Sequence, residues 1–290
     1  VSRVEARESS AWTASGLIRA GARRFRSARL AFGHGTTNAR DEAAWLVLHA
    51  LGLPLDSATG KAVAQREARR VLDLFDRRIR SRKPAAYLTR EAWLGGLRFR
   101  VDQRVVVPRS HIAGLLGERL APWIATPGAV RSALDLCTGS GCLAVLLARA
   151  FPRARVDAAD LSPAALAVAR INIGYHRLKR RVRPVRSDLF SALRGKHYDL
   201  IVSNPPYVTA ARMKSLPREY RHEPAMGLGG GRDGLDYVRR ILAQASAHLN
   251  QGGLLVVEVG GGRRRVERAF PRVPFAWPET AAGRAVFIVQ

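Results

Sequence analysis

At 290 residues, 47% of them hydrophobic, the chain can bury a full α/β core and still carry a second, smaller unit. A formal charge of +26 favours polyanions, yet only five of the 49 basic residues are lysines (Lys61, Lys83, Lys179, Lys196, Lys214), and the basic residues run from Arg3 to Arg284 without a dominant tract, so charge alone selects no phosphate-binding face. No apolar run approaches the ~18–20 residues of a membrane-spanning helix, the opening residues carry charges where a secretion signal needs an apolar stretch, and the two cysteines fit neither a disulfide framework nor a zinc pattern; we expect a soluble cytoplasmic protein with buried free thiols.

In chain order, Asp41–Leu51 places Ala44, Trp45, Leu48 and Leu51 at helical spacing, and Arg66–Arg80 does the same with Val71, Leu72, Leu74, Phe75 and Ile79. Residues 1–83 therefore form a helical unit. A linker over 84–110 contains two β-like runs, Trp93–Phe99 and Val105–Pro108, read as a hairpin. From 111 to 290 strand and helix signals alternate, which predicts βαβ units and a mainly parallel sheet. Strands are expected at 131–137, 155–160, 182–186, 198–203, 253–259, 273–277 and 284–289, with helices at 111–124, 141–150, 162–174, 235–249 and 262–270. Ser162-Pro163 is a strong helix start, an N-cap followed by proline in the first turn.

Chemistry gathers at the strand ends. Asp135-Leu-Cys137-Thr138-Gly139-Ser140-Gly141 runs from an apolar strand through a Gly-x-Gly turn into an apolar helix, so backbone can approach a nucleotide-like ligand. Asp160 ends the next strand about twenty residues on, where a carboxylate can accept two ribose hydroxyls. A helix-capping role before Ser162 is the competing reading. Asp188 closes the strand after that and suits an adenine amino group or a plain turn. Asn204-Pro205-Pro206-Tyr207 follows the fourth strand: the Asn oxygen and a proline-region carbonyl can accept both hydrogens of an –NH₂ group while the tyrosine ring covers it. The glycine- and proline-bearing stretch from Val208 to Gly234 is too long for a plain connector and is expected to close over substrate.

Together Val107-Pro108-Arg109-Ser110-x-Ile112-Ala113, Asp135 to Gly141, Asn204 to Val208, Tyr220-Arg-His-Glu-Pro224 and Asp233-Gly-Leu resemble the protein-(glutamine-N5) methyltransferases, over roughly residues 40 to 290. Pro-Arg-Ser and Cys137 are similar to the branch that modifies large-subunit ribosomal protein L-three; the release-factor branch usually has Pro-Arg-Pro and a glycine in place of that cysteine. The resemblance implies a seven-stranded, Rossmann-like, S-adenosylmethionine-dependent domain behind a helical N-terminal domain that helps recognise the protein substrate. It implies that Asp135, Cys137, Thr138, Gly139 and Gly141 hold the methionine portion of the cofactor, Asp160 and Leu161 the ribose, and Asp188 and Leu189 the adenine. Asn204 lies between cofactor and substrate. Catalysis would fall to Asn204, Pro205, Pro206 and Tyr207, with Arg109 and Glu223 on the substrate side; no metal is implied.

Two other readings stand at this point. An Asn-Pro-Pro-Tyr site also suits a ring amine of DNA or RNA, though such enzymes extrude their target base and commonly carry a recognition module. A non-catalytic RNA-binding assembly factor would fit the charge but not the retained Asp135, Gly139, Gly141, Asp160 and Asn204. A partner that lives among ribosomal RNA suits this composition.

Overall fold

Thr13 caps the first helix of the computed structural model, which describes residues 12–281 and 283–290. The chain forms two units, one of residues up to Glu91 together with Pro217–His222, the other of Ala92–Leu216 and Glu223–Gln290. The first eleven residues of the expected helical unit lie outside the described residues.

In the first unit a two-residue strand β1 (Trp12–Thr13) pairs antiparallel with β2 (Ala62–Val63), and helices α1 (Ala14–Ser27), α2 (Ala39–Leu51), α3 (Gln65–Ser81) and α4 (Ala85–Thr89) supply the bulk. Helix α1 has no counterpart among the sequence signals, because much of its buried face is Ala14, Ala20, Gly21 and Ala22 and hydrophobic periodicity is blind to such residues. Smallness is its function. A Cβ on Gly21 would sit 2.5 Å from Phe75, whose ring meets Phe25 edge-on at 5.2 Å. The unit buries an ion pair, Arg78 to Glu42 at 2.7 Å, both side chains fully inaccessible. Glu219, from the returning segment, lies 3.8 Å from Arg78 and 3.3 Å from Arg82 and accepts the Ala31 amide at 3.2 Å.

The second unit starts with a hairpin, β3 (Glu91–Leu94) and β4 (Leu97–Arg100), whose turn is Gly95-Gly96 with φ of 55° and 73°. This corrects the expected pairing of Trp93–Phe99 with Val105–Pro108: both turn positions need positive φ, which glycine supplies, so the chain reverses inside the first run and Val105–Pro108 stays outside any ladder. After α5 (Ile112–Gly117) come β5 (Ser132–Leu136), α6 (Cys142–Ala150), β6 (Arg155–Asp160), α7 (Pro163–Tyr175), β7 (Val182–Arg186), β8 (Tyr198–Ser203), α8 (Ala210–Lys214), α9 (Asp236–Ala245), β9 (Leu249–Glu258), α10 (Arg263–Ala269) and β10 (Val286–Val289). Helix α5 stops well short of 124 because Arg119 and Leu120 adopt positive φ.

The sheet order is β10-β9-β8-β5-β6-β7, parallel except for β10, which runs antiparallel to β9. Among the described residues six strands form the ladder, not seven. Residues 273–277 contribute one isolated bridge, Ala276 to Ile288, because Pro274 and Pro278 flank it and cannot donate to a ladder. Side chains alternate between two cores. Ala133, Val156, Leu200 and Val202 pack with residues of α5, α6 and α7, while Leu134, Leu136, Ala159 and Ile201 pack with Val238, Ile241 and Val266 of α9 and α10. Strand order reverses between β5 and β8, and it is at that switch point, beyond the carboxyl ends, that open α/β sheets bind ligands.

Candidate active site

Register places the chemistry. Leu136 lies opposite both Ala159 and Ser203, so the residues that follow them, Cys137, Asp160 at the last pair of β6, and Asn204, stand side by side at the ends of β5, β6 and β8. Asp135 is wholly buried; its Oδ2 accepts Thr138 Oγ1 at 2.5 Å and the Ala144 amide at 2.9 Å, tying the glycine turn to the start of α6. Its other oxygen has no hydrogen-bond partner among the described residues. Burial pushes this carboxyl up to about 7, and the charge of Asp160 adds to the rise.

Asp160 accepts the Gly139 amide (2.8 Å) and the Ser162 amide (2.8 Å), one on each oxygen, so it braces the turn and caps the approach to α7 at once; burial raises its pKa. Gly139 has φ 54°, and a side chain built there would meet nothing within 4 Å, so the turn borders open space. Gly141 is needed for another reason: a Cβ there would lie 3.1 Å from that of Ala169 on α7. Asn172 of α7, fully buried, donates to the Ser140 carbonyl at 2.8 Å and exchanges two hydrogen bonds with Arg100 of β4. Cys137 takes φ 59°, a conformation that glycine adopts without steric cost, and burial with the nearby Asp160 and Asp135 pushes its thiol far up. Both cysteines are free. Leu161, beside Asp160, is 46% exposed, whereas Leu189 is buried. Asp188 pairs at the surface with Arg240 (2.8 Å), an occupation its position in the sequence does not reveal.

Around Asn204 a second set of contacts converges. Its Nδ2 donates to the Arg109 carbonyl at 3.4 Å, a long contact that uses the amide's donor side and not its acceptor, Oδ1. Pro205 and Pro206 are buried. Tyr207 directs its hydroxyl to Glu258 Oε1 at 3.4 Å, a long contact, and its ring faces Gly260, where a Cβ would stand 2.8 Å away. The backbone of this loop is clamped from the far side: the Val208 amide donates to the Leu228 carbonyl at 2.9 Å, the Gly230 amide donates to the Val208 carbonyl at 2.8 Å, and a Cβ on Gly230 would lie 2.6 Å from the Pro206 oxygen.

Arg109 and Glu223, expected on the substrate side, occupy each other. Two parallel hydrogen bonds of 2.6 and 2.7 Å join them, and Glu223, buried, also accepts the Val107 amide at 2.9 Å. Glu258, at the end of β9, takes Ser110 Oγ at 2.6 Å and the His111 amide at 2.9 Å; burial raises its pKa. The Val107–His111 segment is thus held by two buried carboxylates and in turn holds Asn204. Glu258, Asn172 and Gly230 escape motif reading. Only Glu258 leaves a trace in sequence, an acid closing the apolar run Leu254–Val257. Among the described residues no cluster of His, Cys, Asp and Glu could hold a metal ion.

The Methyltransferase small domain family matches residues 117–217. The ribosomal protein uL3 glutamine methyltransferase of Bordetella pertussis is 55% identical over 268 residues, covering 91% of this chain and 90% of that protein. Its namesake in Burkholderia pseudomallei is 50% identical over 289 residues, covering 96% and 94%. The chain belongs to the ribosomal protein uL3 glutamine methyltransferase family. Among solved structures, the hMettl16 catalytic domain in complex with MAT2A 3′UTR hairpin 6 aligns with a TM-score of 0.51 at 16% identity, over 80% of this chain and 84% of that one, a likeness of fold alone. Membership agrees with the branch that Pro108-Arg109-Ser110 and Cys137 indicate, and makes the chain an enzyme of the methyltransferase class. Among the described residues no helix is long and apolar enough to cross a membrane.

Proposed function

We propose that this chain transfers a methyl group from S-adenosylmethionine to the side-chain amide nitrogen of a glutamine in ribosomal protein uL3, in the cytoplasm. The observation that carries the reading is the orientation of Asn204. With Nδ2 committed to the Arg109 carbonyl, Oδ1 is an acceptor, and an acceptor is what a substrate –NH₂ needs. The names of the relatives, each a uL3 glutamine methyltransferase, supply the substrate class.

The residues present fit the cofactor. The Asp135 oxygen that has no partner among the described residues offers an acceptor toward an ammonium group, the bare Gly139 turn leaves room for close approach, and exposed Leu161 gives apolar cover beside the Asp160 carboxylate. Asp135, Cys137, Thr138, Gly139 and Gly141 would hold the methionine part, Asp160 and Leu161 the ribose, and Asp188 and Leu189 the adenine. When bound, the cofactor supplies an electrophilic methyl on a sulfonium centre.

An amide nitrogen is a poor nucleophile because its lone pair is delocalised. Asn204 Oδ1 and the Pro205 carbonyl, by accepting both amide hydrogens, favour a pyramidal nitrogen and aim its lone pair. Pro206 fixes the loop that carries them, and Tyr207 covers the amide plane and excludes water. Arg109 and Glu223 act by placing the Arg109 carbonyl that orients Asn204, so they position the site without needing to touch substrate. No general base is required before attack. Nitrogen with four bonds is acidic, and after transfer its proton leaves to a carbonyl or, once the site opens, to water. The helical unit, residues 1–83 in the sequence reading, is assigned to recognising the protein substrate.

The test is transfer of tritiated methyl into purified uL3, a release factor and ribosomal RNA side by side, with mass spectrometry locating the label. We expect one glutamine of uL3 to carry it; label in RNA alone overturns the reading.

A further inference from the structure

A cavity of about 580 Å³ opens on the second unit, lined by Trp93 and Arg98 of the hairpin, Arg149 at the end of α6, and Tyr175, His176 and Arg177 at the end of α7. None of these belongs to the site around Asn204. Trp93 is 40% and Tyr175 54% exposed, large rings that water would ordinarily drive inside. Tyr175 is also held in place: Arg98 lies 5.2 Å from the ring centroid and donates to its hydroxyl at 2.6 Å, while His176 contacts the Arg98 carbonyl at 2.9 Å. Arg149 and Arg177 form no ion pair within the described residues, and no carboxylate lines the cavity.

Helix C-termini attract cations, which accounts for Arg149 but not for two exposed aromatic faces beside it. The basic run of the sequence continues outward from this point. Arg181 is consumed by carbonyls of residues 148–154, whereas Arg177, Lys179 and Arg180 are exposed. Aromatic faces set among unpaired arginines are what a single-stranded nucleic acid requires, a π-face for the base and cations for the phosphates.

We propose that this cavity binds single-stranded RNA, with a base stacked on Tyr175 or Trp93 and the adjoining phosphates against Arg149 and Arg177. Nothing in this site depends on which nitrogen the enzyme methylates. An enzyme acting on a ribosomal protein would thereby gain a grip on RNA next to its substrate.

The experiment is fluorescence anisotropy of the full chain with a 5′-labelled single-stranded RNA of roughly a dozen nucleotides, over a series of salt concentrations. The Trp93→Leu/Tyr175→Leu variant keeps all charges; we expect affinity to fall about tenfold with an unchanged salt slope. Tyr175→Phe, which keeps the ring and loses only the Arg98 bond, should bind as the parent does and guards against misfolding. Arg149→Ala/Arg177→Ala should flatten the slope of log affinity against log salt by about 1.4, and Arg264→Ala/Arg265→Ala, an equal loss of charge elsewhere, should not. Undiminished binding by the double aromatic variant, or equal slopes for the two arginine pairs, overturns the proposal in favour of unlocalised attraction. Equal competition by polyglutamate overturns it in favour of an acidic peptide.

Discussion

Arg109 and Glu223 meet through two parallel hydrogen bonds of 2.6 and 2.7 Å, and the Arg109 carbonyl on the same residue receives Asn204 Nδ2 at 3.4 Å. One arginine therefore reads the loop after the Asn-Pro-Pro-Tyr segment with its side chain and orients the segment's first residue with its backbone. Replacing it strands a carboxylate whose side chain has no exposure. We expect Arg109→Ala to cost about 3 kcal/mol in urea unfolding, and Glu223→Gln less, since the amide oxygen still accepts the Val107 N–H. Equal losses in the two variants would contradict this account of the pair.

Asn204→Ala and Asp160→Ala should separate chemistry from cofactor binding. The first removes an acceptor for the nucleophile and is expected to lower kcat by about 100-fold or more with the S-adenosylmethionine Kd nearly unchanged. The second should weaken cofactor binding first, because the carboxylate that braces Gly139 is lost. Calorimetry distinguishes them; abolished cofactor binding in Asn204→Ala would falsify the division of roles.

Glu258 accepts two short hydrogen bonds from Ser110 and His111 and one long one from Tyr207. Tyr207→Phe should accordingly change turnover less than threefold, since a 3.4 Å contact contributes well under 1 kcal/mol. Glu258→Ala removes the one oxygen that accepts from both Ser110 and His111, and about a tenfold fall in kcat is expected. The reverse order of effects in steady-state kinetics would refute the placement.

Gly230→Ala would drive a methyl to 2.6 Å from the Pro206 oxygen and 2.7 Å from Tyr207 Cα, against backbone that cannot swing aside. Overpacking of this kind costs about 1–3 kcal/mol. Thermal unfolding should show it, with a larger proportional loss of activity, because the displaced backbone carries the amide acceptor. Gly139→Ala, which meets nothing within 4 Å in the protein, is expected to weaken cofactor binding more than stability.

Asp135 gives the protein a pH dependence of defined sign. Its carboxyl stands at about 7 because of burial, against about 3.9 in an unfolded chain. Between those values the folded state holds a proton that the unfolded state has released, so this contribution to stability is full below pH 4 and is lost as pH climbs through 7. In the cofactor-free protein the drop in urea midpoint from pH 5 to pH 8 should be smaller for Asp135→Asn than for the parent. An identical drop in both would mean that Asp135 is ionised throughout.

The sequence by itself determined the α/β class, the strand-end positions of Asp135, Asp160 and Asn204, and the family, because period-two apolar runs and short-range turn chemistry are local properties of the chain. It also placed β5 to β8 within a residue or so of their observed bounds. Tertiary structure decided the rest. Helix α1 buries alanine and glycine that carry no periodic signal, residues 273–277 lose a strand to flanking prolines, and the hairpin turns at Gly95-Gly96. That Glu223 meets Arg109 and Asp188 meets Arg240 depends on partners more than fifty residues away in sequence. A carboxylate's occupation is set by whatever cation the fold brings within about 3 Å, and no local pattern encodes that distance.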